Sequence, residues 1–180
     1  MKAKATYLWL ALMLCLAQGA SAGFVQGKPS LEYQVKAAFL FNFTRFIRWP
    51  ATAYTSPDAP FVIGISGSDP FGTYLDDLVN DEEIDGHRIV VRRYAEGQDI
   101  GGCQLLFINW NDEAKEKAVL AQASRQNILT VGDANNFIRA GGMLHFYKEE
   151  NKVKMEIKLA AVKAAQLDIS SKLLQVAKVK

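Results

Sequence analysis

The chain has 180 residues, of which 21 are Lys or Arg, 19 are Asp or Glu and two are Cys. With 49% hydrophobic residues and a formal net charge of +2, it has the composition of one globular domain. The charges are scattered along the chain, so the sequence carries no basic footprint for nucleic acid or an anionic membrane.

The first 22 residues have the organisation of a secretory signal peptide. Lys2 and Lys4 give a positive start, Tyr7–Leu16 is apolar, and Ala20–Ala22 is a small-x-small cleavage site. Cleavage after Ala22 removes two lysines and no acidic residue, which leaves the mature chain formally neutral. No later apolar stretch is long enough to cross a bilayer. We therefore predict an exported chain with a single domain, residues 23–180, and no membrane insertion after cleavage.

Signal cleavage also decides the disulfide chemistry. Cys15 leaves with the signal, and Cys103 is then the one cysteine of the mature chain, so an internal disulfide is impossible. Cys103 opens the apolar run Cys103–Ile108, which predicts a buried and inert thiol. A partner disulfide or a reactive thiol is the alternative, and it requires exposure and a lowered pKa.

The stretch Ala37–Pro50, with the sequence AAFLFNFTRFIRWP, contains five aromatic residues. Ser30 is a suitable N-cap, Glu32 lies in the first turn, and Pro50 is a stop signal. The pattern predicts a helix over Leu31–Arg48.

Helical spacing assigns a core face to this helix, formed by Leu31, Val35, Ala38, Phe39, Asn42 and Phe46. Phe41, Phe43 and Ile47 lie off that face, so the helix is apolar over much of its circumference. Such a helix is either buried on several sides or half-buried with one side held for a partner.

The remaining chain alternates strands and helices. The predicted strands are Phe61–Ile65, Arg88–Tyr94, Leu105–Asn109 and Ile128–Val131, with Leu105–Asn109 at the centre. The predicted helices begin at Asp69-Pro70, at Asn111 or Asp112, at Asp133, at Ala160, and at Ser170 or Ser171. This order predicts an α/β fold, a three-layer sandwich with a mixed, mostly parallel sheet and flanking helices.

A hairpin closes the predicted sheet. Met143–Lys148 and Lys152–Leu159 flank Glu149-Glu150-Asn151, a hairpin signature. In the second strand Val153, Met155 and Ile157 alternate with Lys152, Lys154, Glu156 and Lys158. The alternation predicts one buried face and one solvated face.

The loop Ser66–Phe71 is the candidate ligand site, because it follows a strand of an α/β sheet. Gly64–Gly67 resembles a nucleophile elbow only in part, since Ser68 stands where the second glycine is required. A phosphate loop would need Lys at Thr73, and Asp69 would repel an anion. A structural turn and a ligand loop built on Ser66, Gly67 and Asp69 both stay open, whereas a hydrolase using Ser66 is disfavoured.

The other reactive side chains do not form a catalytic pattern. His87 and His145 are far apart and have no triad spacing, and with Cys103 they make no zinc signature. An acidic cluster lacks the order of a calcium loop; it consists of Asp76, Asp77, Asp81, Glu82, Glu83 and Asp85. We therefore expect no enzyme, no catalytic residue, no metal and no cofactor, and favour a binding protein.

Six segments in order resemble the YfiR-like family of periplasmic proteins: AAFLFNFTRFIRWP, FVIGISGSDPFG, GHRIVVRRY, CQLLFIN, ILTVGDANNFIRAGGMLHF and KVKMEIKLAAVKAAQLDISSKLL. The matching positions are Phe39, Asn42, Phe43, Trp49, Pro50, Gly64, Pro70, Phe71, Gly72, Cys103, Gly141, Gly142, Glu156, Leu173 and Leu174. The resemblance implies a small, non-enzymatic periplasmic α/β protein of a family whose members often dimerise, which leaves a homodimer open. It also implies repression of an inner-membrane diguanylate cyclase, through binding of its periplasmic part.

Two departures from the family pattern matter. Cys103 lacks the partner with which well-known members form disulfides, and Lys158 stands where members commonly carry Asn. For the partner surface we expect Phe41 on the aromatic helix together with Glu156 and Lys158 on the hairpin. The alternative function is a periplasmic sensor or carrier of a small ligand, bound at the Ser66–Phe71 loop.

Overall fold

A computed structural model describes residues 28–180, and the predicted signal peptide with Cys15 lies outside the described residues. The helices are α1 (Leu31–Phe46), α2 (Thr73–Val79), α3 (Glu113–Ala123), α4 (Phe137–Ala140), α5 (Leu159–Ala164) and α6 (Ser171–Val176), and Ala51–Ala53 forms a 3-10 turn. The strands are β1 (Ile47–Arg48), β2 (Phe61–Gly67), β3 (Glu83–Ile84), β4 (His87–Tyr94), β5 (Leu105–Asn109), β6 (Leu129–Gly132), β7 (Leu144–Glu149), β8 (Lys152–Ile157), β9 (Asp168–Ile169) and β10 (Lys178–Val179).

Eight of these strands form one sheet in the order β10-β8-β7-β6-β5-β2-β4-β3. The five neighbours β7, β6, β5, β2 and β4 run parallel, whereas β8 pairs with β7 as an antiparallel hairpin. Strands β1 and β9 form a separate antiparallel pair. The predicted α/β fold with a mixed, mostly parallel sheet and a C-terminal hairpin is confirmed.

Two hydrophobic cores lie on opposite faces of the sheet. Helix α1 packs on one face, where Phe43 belongs to the same buried cluster as Phe107, Val131 and Phe146 from the strands. Helices α3 and α4 pack on the other face, over Val62, Leu106 and Ile108 from the strands. Because both faces are covered, the central strands are apolar at successive positions, as is usual for parallel sheets. We call the two sides the α1 face and the α3 face.

Helix α1 begins as predicted and ends earlier. The Oγ of Ser30 accepts a hydrogen bond from the N–H of Tyr33 at 3.5 Å, which confirms the N-cap. The helix ends at Phe46 rather than Arg48, because Ile47 and Arg48 are extended and pair with Ile169 and Asp168. A tertiary strand pairing therefore ends the helix before Pro50 is reached.

The predicted core face of α1 is wrong. The helix buries Ala37, Leu40 and Phe43, together with Lys36 and Thr44, whereas Leu31 is 75% exposed and Val35 is 37% exposed. Helical spacing could not distinguish the faces because apolar residues surround most of the helix. Contact with the sheet selects the face that carries Phe43 and leaves the predicted face partly uncovered.

The predicted helix start at Asp69-Pro70 is also wrong. One carboxylate oxygen of Asp69 accepts hydrogen bonds from the N–H groups of Phe71, at 2.8 Å, and Gly72, at 3.1 Å. These bonds close a turn, and α2 begins only at Thr73. The Asp69 side chain thus makes the hydrogen bonds of a helix cap, but it makes them within a loop.

None of the helices in residues 28–180 combines the length and hydrophobicity needed to cross a membrane.

Candidate functional site

The loop after β2 leads into α2 and lies beside the carboxyl end of the neighbouring strand β5. At this point the chain reverses its direction of travel across the sheet, and α/β proteins place ligands at such points. Here the crevice is closed: the N–H of Ser68 donates to the carbonyl of Asn109 at 2.9 Å, and the Asn109 amide donates back to the Ser68 carbonyl at 3.0 Å. Gly67 has a φ of +94°, and a Cβ there would collide with the same Asn109 carbonyl. The close approach of two strand ends explains this glycine.

The polar side chains of the loop are also engaged inside the protein. Ser66 is buried, and its Oγ accepts a hydrogen bond from the indole N–H of Trp110 at 3.0 Å. Asp69 caps the turn described above and pairs with the Nε of Arg93 at 2.9 Å. Hydrogen bonds from Arg93 to Asp76 and Asp69 raise the pKa of the guanidinium despite partial burial. The structure thus places Ser66, Gly67 and Asp69 in a turn whose side chains serve the fold.

The two histidines lie apart, on β4 and β7, with three strands between them. His87 stacks on Tyr54 with ring centroids 3.9 Å apart, beside a depression of about 560 Å³ that Trp49 and Phe61 also line. His145 is buried rather than on the surface, and its Nε2 has no hydrogen-bond partner. No group of three metal-ligating side chains converges within residues 28–180.

Glu156 is less solvated than the hairpin pattern predicts. Its side chain is only 16% exposed and lies 3.2 Å from the Nδ1 of His145 and 3.2 Å from the Nζ of Lys180. Burial opposes the charged carboxylate, but the hydrogen bonds from His145 and Lys180 outweigh it and lower the pKa of Glu156. Glu156 therefore forms an ion pair with Lys180 and a hydrogen bond with His145 on the α3 face.

The other two expected partner residues occupy different places. Lys158 is half-buried after β8, and its N–H donates to the Met143 carbonyl at 2.8 Å. Phe41 is half-buried on the α1 face, with the guanidinium of Arg45 4.6 Å above its ring. Since Glu156 alternates with the α1-face residues of β8, the sheet separates it from Phe41.

Cys103 is buried two residues before β5. Desolvation raises the pKa of its thiol to about 12, so the thiolate is scarce at neutral pH. The structure confirms that the thiol is buried, and its inertness stays a prediction.

The sequence reasoning missed a buried charge network that anchors α1. Lys36 is 4% exposed, and its Nζ lies 2.7 Å from Glu32 and 2.7 Å from Asp133, which also accepts a hydrogen bond from the Tyr33 hydroxyl at 3.1 Å. Burial disfavours the ammonium, but hydrogen bonds to Asp133 and Glu32 outweigh this effect and raise the pKa of Lys36. The i, i+4 spacing of Glu32 and Lys36 was the available signal, whereas Asp133 is distant in sequence.

Two adjacent depressions flank the ion pair of Glu32 with Lys148, whose N and O atoms are 3.5 Å apart. On one side a polar crevice of about 570 Å³ lies over the carboxyl ends of β5, β6 and β7. On the other side a groove of about 400 Å³ separates α1 from the β7–β8 hairpin. We call the second depression the hairpin groove; it is lined by Leu31, Glu32, Val35, Phe39, Lys148, Asn151, Lys152 and Val153.

The hairpin groove has the character of a protein-binding surface. Leu31, Val35 and Phe39 are spaced i, i+4 and i+8 along α1 and form one apolar ridge. Val153 faces them from β8, and Lys148 and Lys152 lie at the rim. An apolar centre with a charged rim is typical of interaction surfaces.

Comparison with known proteins identifies the family to which the chain belongs. No curated protein matches the chain significantly. The YfiR/HmsC-like family model matches residues 33–178, from the first turn of α1 to the start of β10. Because this match spans most of the chain and agrees with the order of motifs noted in the sequence, the chain belongs to the YfiR/HmsC-like family.

Proposed function

We propose that the chain is a periplasmic, non-enzymatic regulator that binds and represses the periplasmic part of an inner-membrane diguanylate cyclase. The observation that carries this proposal is the family match over residues 33–178, which includes the main sheet up to the first residue of β10. The signal-like residues 1–22 support export to the periplasm.

The mechanism of repression is differential binding. A regulator shifts its partner toward the inactive state only by the difference between its affinities for the two states. A tenfold difference corresponds to about 1.4 kcal/mol, and a switch from nearly all active to nearly all inactive needs about 5.5 kcal/mol. The output of such binding is a lower rate of cyclic di-GMP synthesis.

A binding function agrees with the state of the chemically reactive side chains. Ser66 accepts a hydrogen bond from Trp110, Asp69 is tied to Arg93, and Cys103 is buried with a raised pKa. None of these groups has the free, activated geometry that nucleophilic catalysis requires. The same engagement weakens the alternative of a small-ligand site at the Ser66–Phe71 loop.

Phe41, Glu156 and Lys158 remain proposed partner contacts, to be tested separately because the sheet lies between Phe41 and Glu156. Reversal of charge in Glu156→Lys also breaks the pairs with His145 and Lys180. The matched control is Glu149→Lys, an exposed glutamate of β7. A contact role for Glu156 requires a weaker complex under conditions in which urea denaturation shows that Glu156→Lys is still fully folded.

The test is a capture experiment followed by a cellular readout. Residues 23–180 with a C-terminal tag are incubated with solubilised inner membranes of the source organism, and retained proteins are identified by mass spectrometry. We expect a diguanylate cyclase with a periplasmic domain to be retained, and cyclic di-GMP to rise when the gene for this chain is deleted. Retention of no cyclase by folded protein, with unchanged cyclic di-GMP on deletion, would contradict the proposal.

A further inference from the structure

We propose that the polar crevice over the carboxyl ends of β5, β6 and β7 binds an uncharged carbohydrate of one or two sugar rings. This site goes beyond the proposed function and does not depend on the identity of the partner protein. Three features of the crevice carry the proposal: a carboxylate held in place with one oxygen free, a lining without net charge, and amide and aromatic side chains beside that carboxylate.

The crevice lies at the edge of the sheet where open α/β proteins bind ligands, beyond the carboxyl ends of parallel strands. Between β2 and β5 this edge is closed by the two hydrogen bonds that join Ser68 to Asn109. Over β5, β6 and β7 a volume of about 570 Å³ stays open. That volume is within the usual range for sites that bind small molecules.

Asp133 is held in place at the crevice by buried partners. Its Oδ2 accepts hydrogen bonds from the Nζ of Lys36 at 2.7 Å and from the hydroxyl of Tyr33 at 3.1 Å, whereas its Oδ1 accepts none from residues 28–180. Lys36 is only 4% exposed, and a buried ion pair is weak evidence for stability, because well-packed apolar residues often stabilise a fold as well. The network therefore positions a carboxylate oxygen that is free to accept a hydrogen bond from a ligand hydroxyl.

The charges that line the crevice cancel, which favours an uncharged ligand. Among the described residues the charged lining consists of Glu32, Lys36, Asp133 and Lys148. Lys36 lies 2.7 Å from both carboxylates, and Lys148 lies 3.5 Å from Glu32. A phosphate, carboxylate or amine would compete with these pairs, whereas the hydroxyl groups of a sugar would leave them intact.

The uncharged side chains of the crevice suit a sugar. Asn111 and Asn135 are exposed, and neither amide makes a side-chain hydrogen bond among the described residues. Each amide can donate and accept, as a sugar hydroxyl does. Trp110 and Tyr147 supply aromatic surface on which the apolar C–H groups of a sugar ring can pack. The hydrogen bond from the Trp110 indole to the Oγ of Ser66, at 3.0 Å, fixes the position of that ring.

Titration of residues 23–180 with sugars tests the crevice. The neutral probes are glucose, N-acetylglucosamine, maltose, trehalose and diacetylchitobiose, each up to about 20 mM because a millimolar Kd is detectable there; the charged probes are glucose 6-phosphate and glucosamine. Trp49→Phe leaves Trp110 as the one tryptophan of residues 23–180, so its fluorescence reports on the crevice, and calorimetry of the wild type is the second readout. We expect at least one neutral sugar to bind saturably and neither charged sugar to bind more tightly.

Point variants locate the site. Asn111→Ala and Asn135→Ala should each raise the Kd of the bound sugar about threefold, through loss of one hydrogen bond. Asp133→Asn should raise it further, and the two asparagine variants decide the matter if loss of the Lys36 pair prevents folding. Asn136→Ala, at the neighbouring exposed asparagine outside the crevice, should change Kd less than twofold. Binding of no neutral sugar, tighter binding of a charged sugar, or an unchanged Kd in the Asn111→Ala and Asn135→Ala double variant would overturn the carbohydrate site and leave the proposed function intact.

Discussion

On helix α1, Phe43 lies in the core and Leu31 on the surface, so truncation of the two side chains should lower the free energy of unfolding by very different amounts. Phe43 is fully buried, and its ring lies 5.9 Å from that of Phe146 and 6.3 Å from that of Phe39. Truncation in Phe43→Ala removes this packing and leaves a cavity, which costs about 3–5 kcal/mol. Leu31→Ala removes a side chain that is already mostly in water and should cost less than about 0.5 kcal/mol.

Urea denaturation of residues 23–180, followed by circular dichroism, measures both free energies of unfolding. With an m-value of about 2 kcal/mol/M for a domain of this size, Phe43→Ala should lower the urea midpoint by about 1.5–2.5 M. The midpoint of Leu31→Ala should move by less than about 0.3 M on the same m-value. Val176→Ala is a second exposed control, on α6. Equal losses for Phe43→Ala and Leu31→Ala would refute the assigned orientation of α1.

Three further predictions test packing and ionisation. Gly64→Ala places a Cβ 2.7 Å from the Sγ of Cys103, so it should lower the free energy of unfolding by about 1–3 kcal/mol. Thermal unfolding measures this loss, and adding Cys103→Ala should recover part of it. An unchanged melting temperature would contradict the close approach of Gly64 and Cys103. Burial raises the pKa of Glu116, and the negative charges of Glu113 and Asp133 raise it further. The neutral carboxyl of Glu116 therefore stabilises the fold fully below pH 4.5, and this contribution to the free energy of unfolding is lost as pH rises through the raised pKa. Glu116→Gln should therefore raise the urea midpoint at pH 7 and flatten this pH dependence, and a lower midpoint would contradict the sign. With its pKa raised to about 12, the Cys103 thiol should resist Ellman's reagent at pH 8 in the folded chain and react fully in urea; rapid reaction of the native protein would show that the thiol is accessible.

Local chemistry made the elements of the fold predictable. Ser30, Asp112 and Ser170 accept hydrogen bonds from the first turns of α1, α3 and α6, as their side chains and positions indicate. The apolar run Leu105–Asn109 is a central strand, and the hairpin forms around Glu150 and Asn151. In each case residues a few positions apart decide the outcome, so the sequence contains the necessary information.

The candidate site was less predictable, because its residues meet only across long separations. The groove brings together α1 and the β7–β8 hairpin, and the network behind it joins Lys36 to Asp133, 97 residues away. Glu156 illustrates the converse: alternation predicted a solvated charge, but His145 on β7 and Lys180 just after β10 contact its carboxylate. The residue types and short-range spacing around Glu156 predict neither its contact with His145 nor its contact with Lys180.

By itself the sequence determined the class of the fold, most of its strands and the caps at Ser30, Asp112 and Ser170, because each depends on residue type and short-range spacing. Only the tertiary structure decided which side of α1 is the core. The helix is apolar around most of its circumference, so its periodicity suits several orientations, and the sheet selects the one that buries Phe43. That selection leaves Leu31 and Val35 in the open groove.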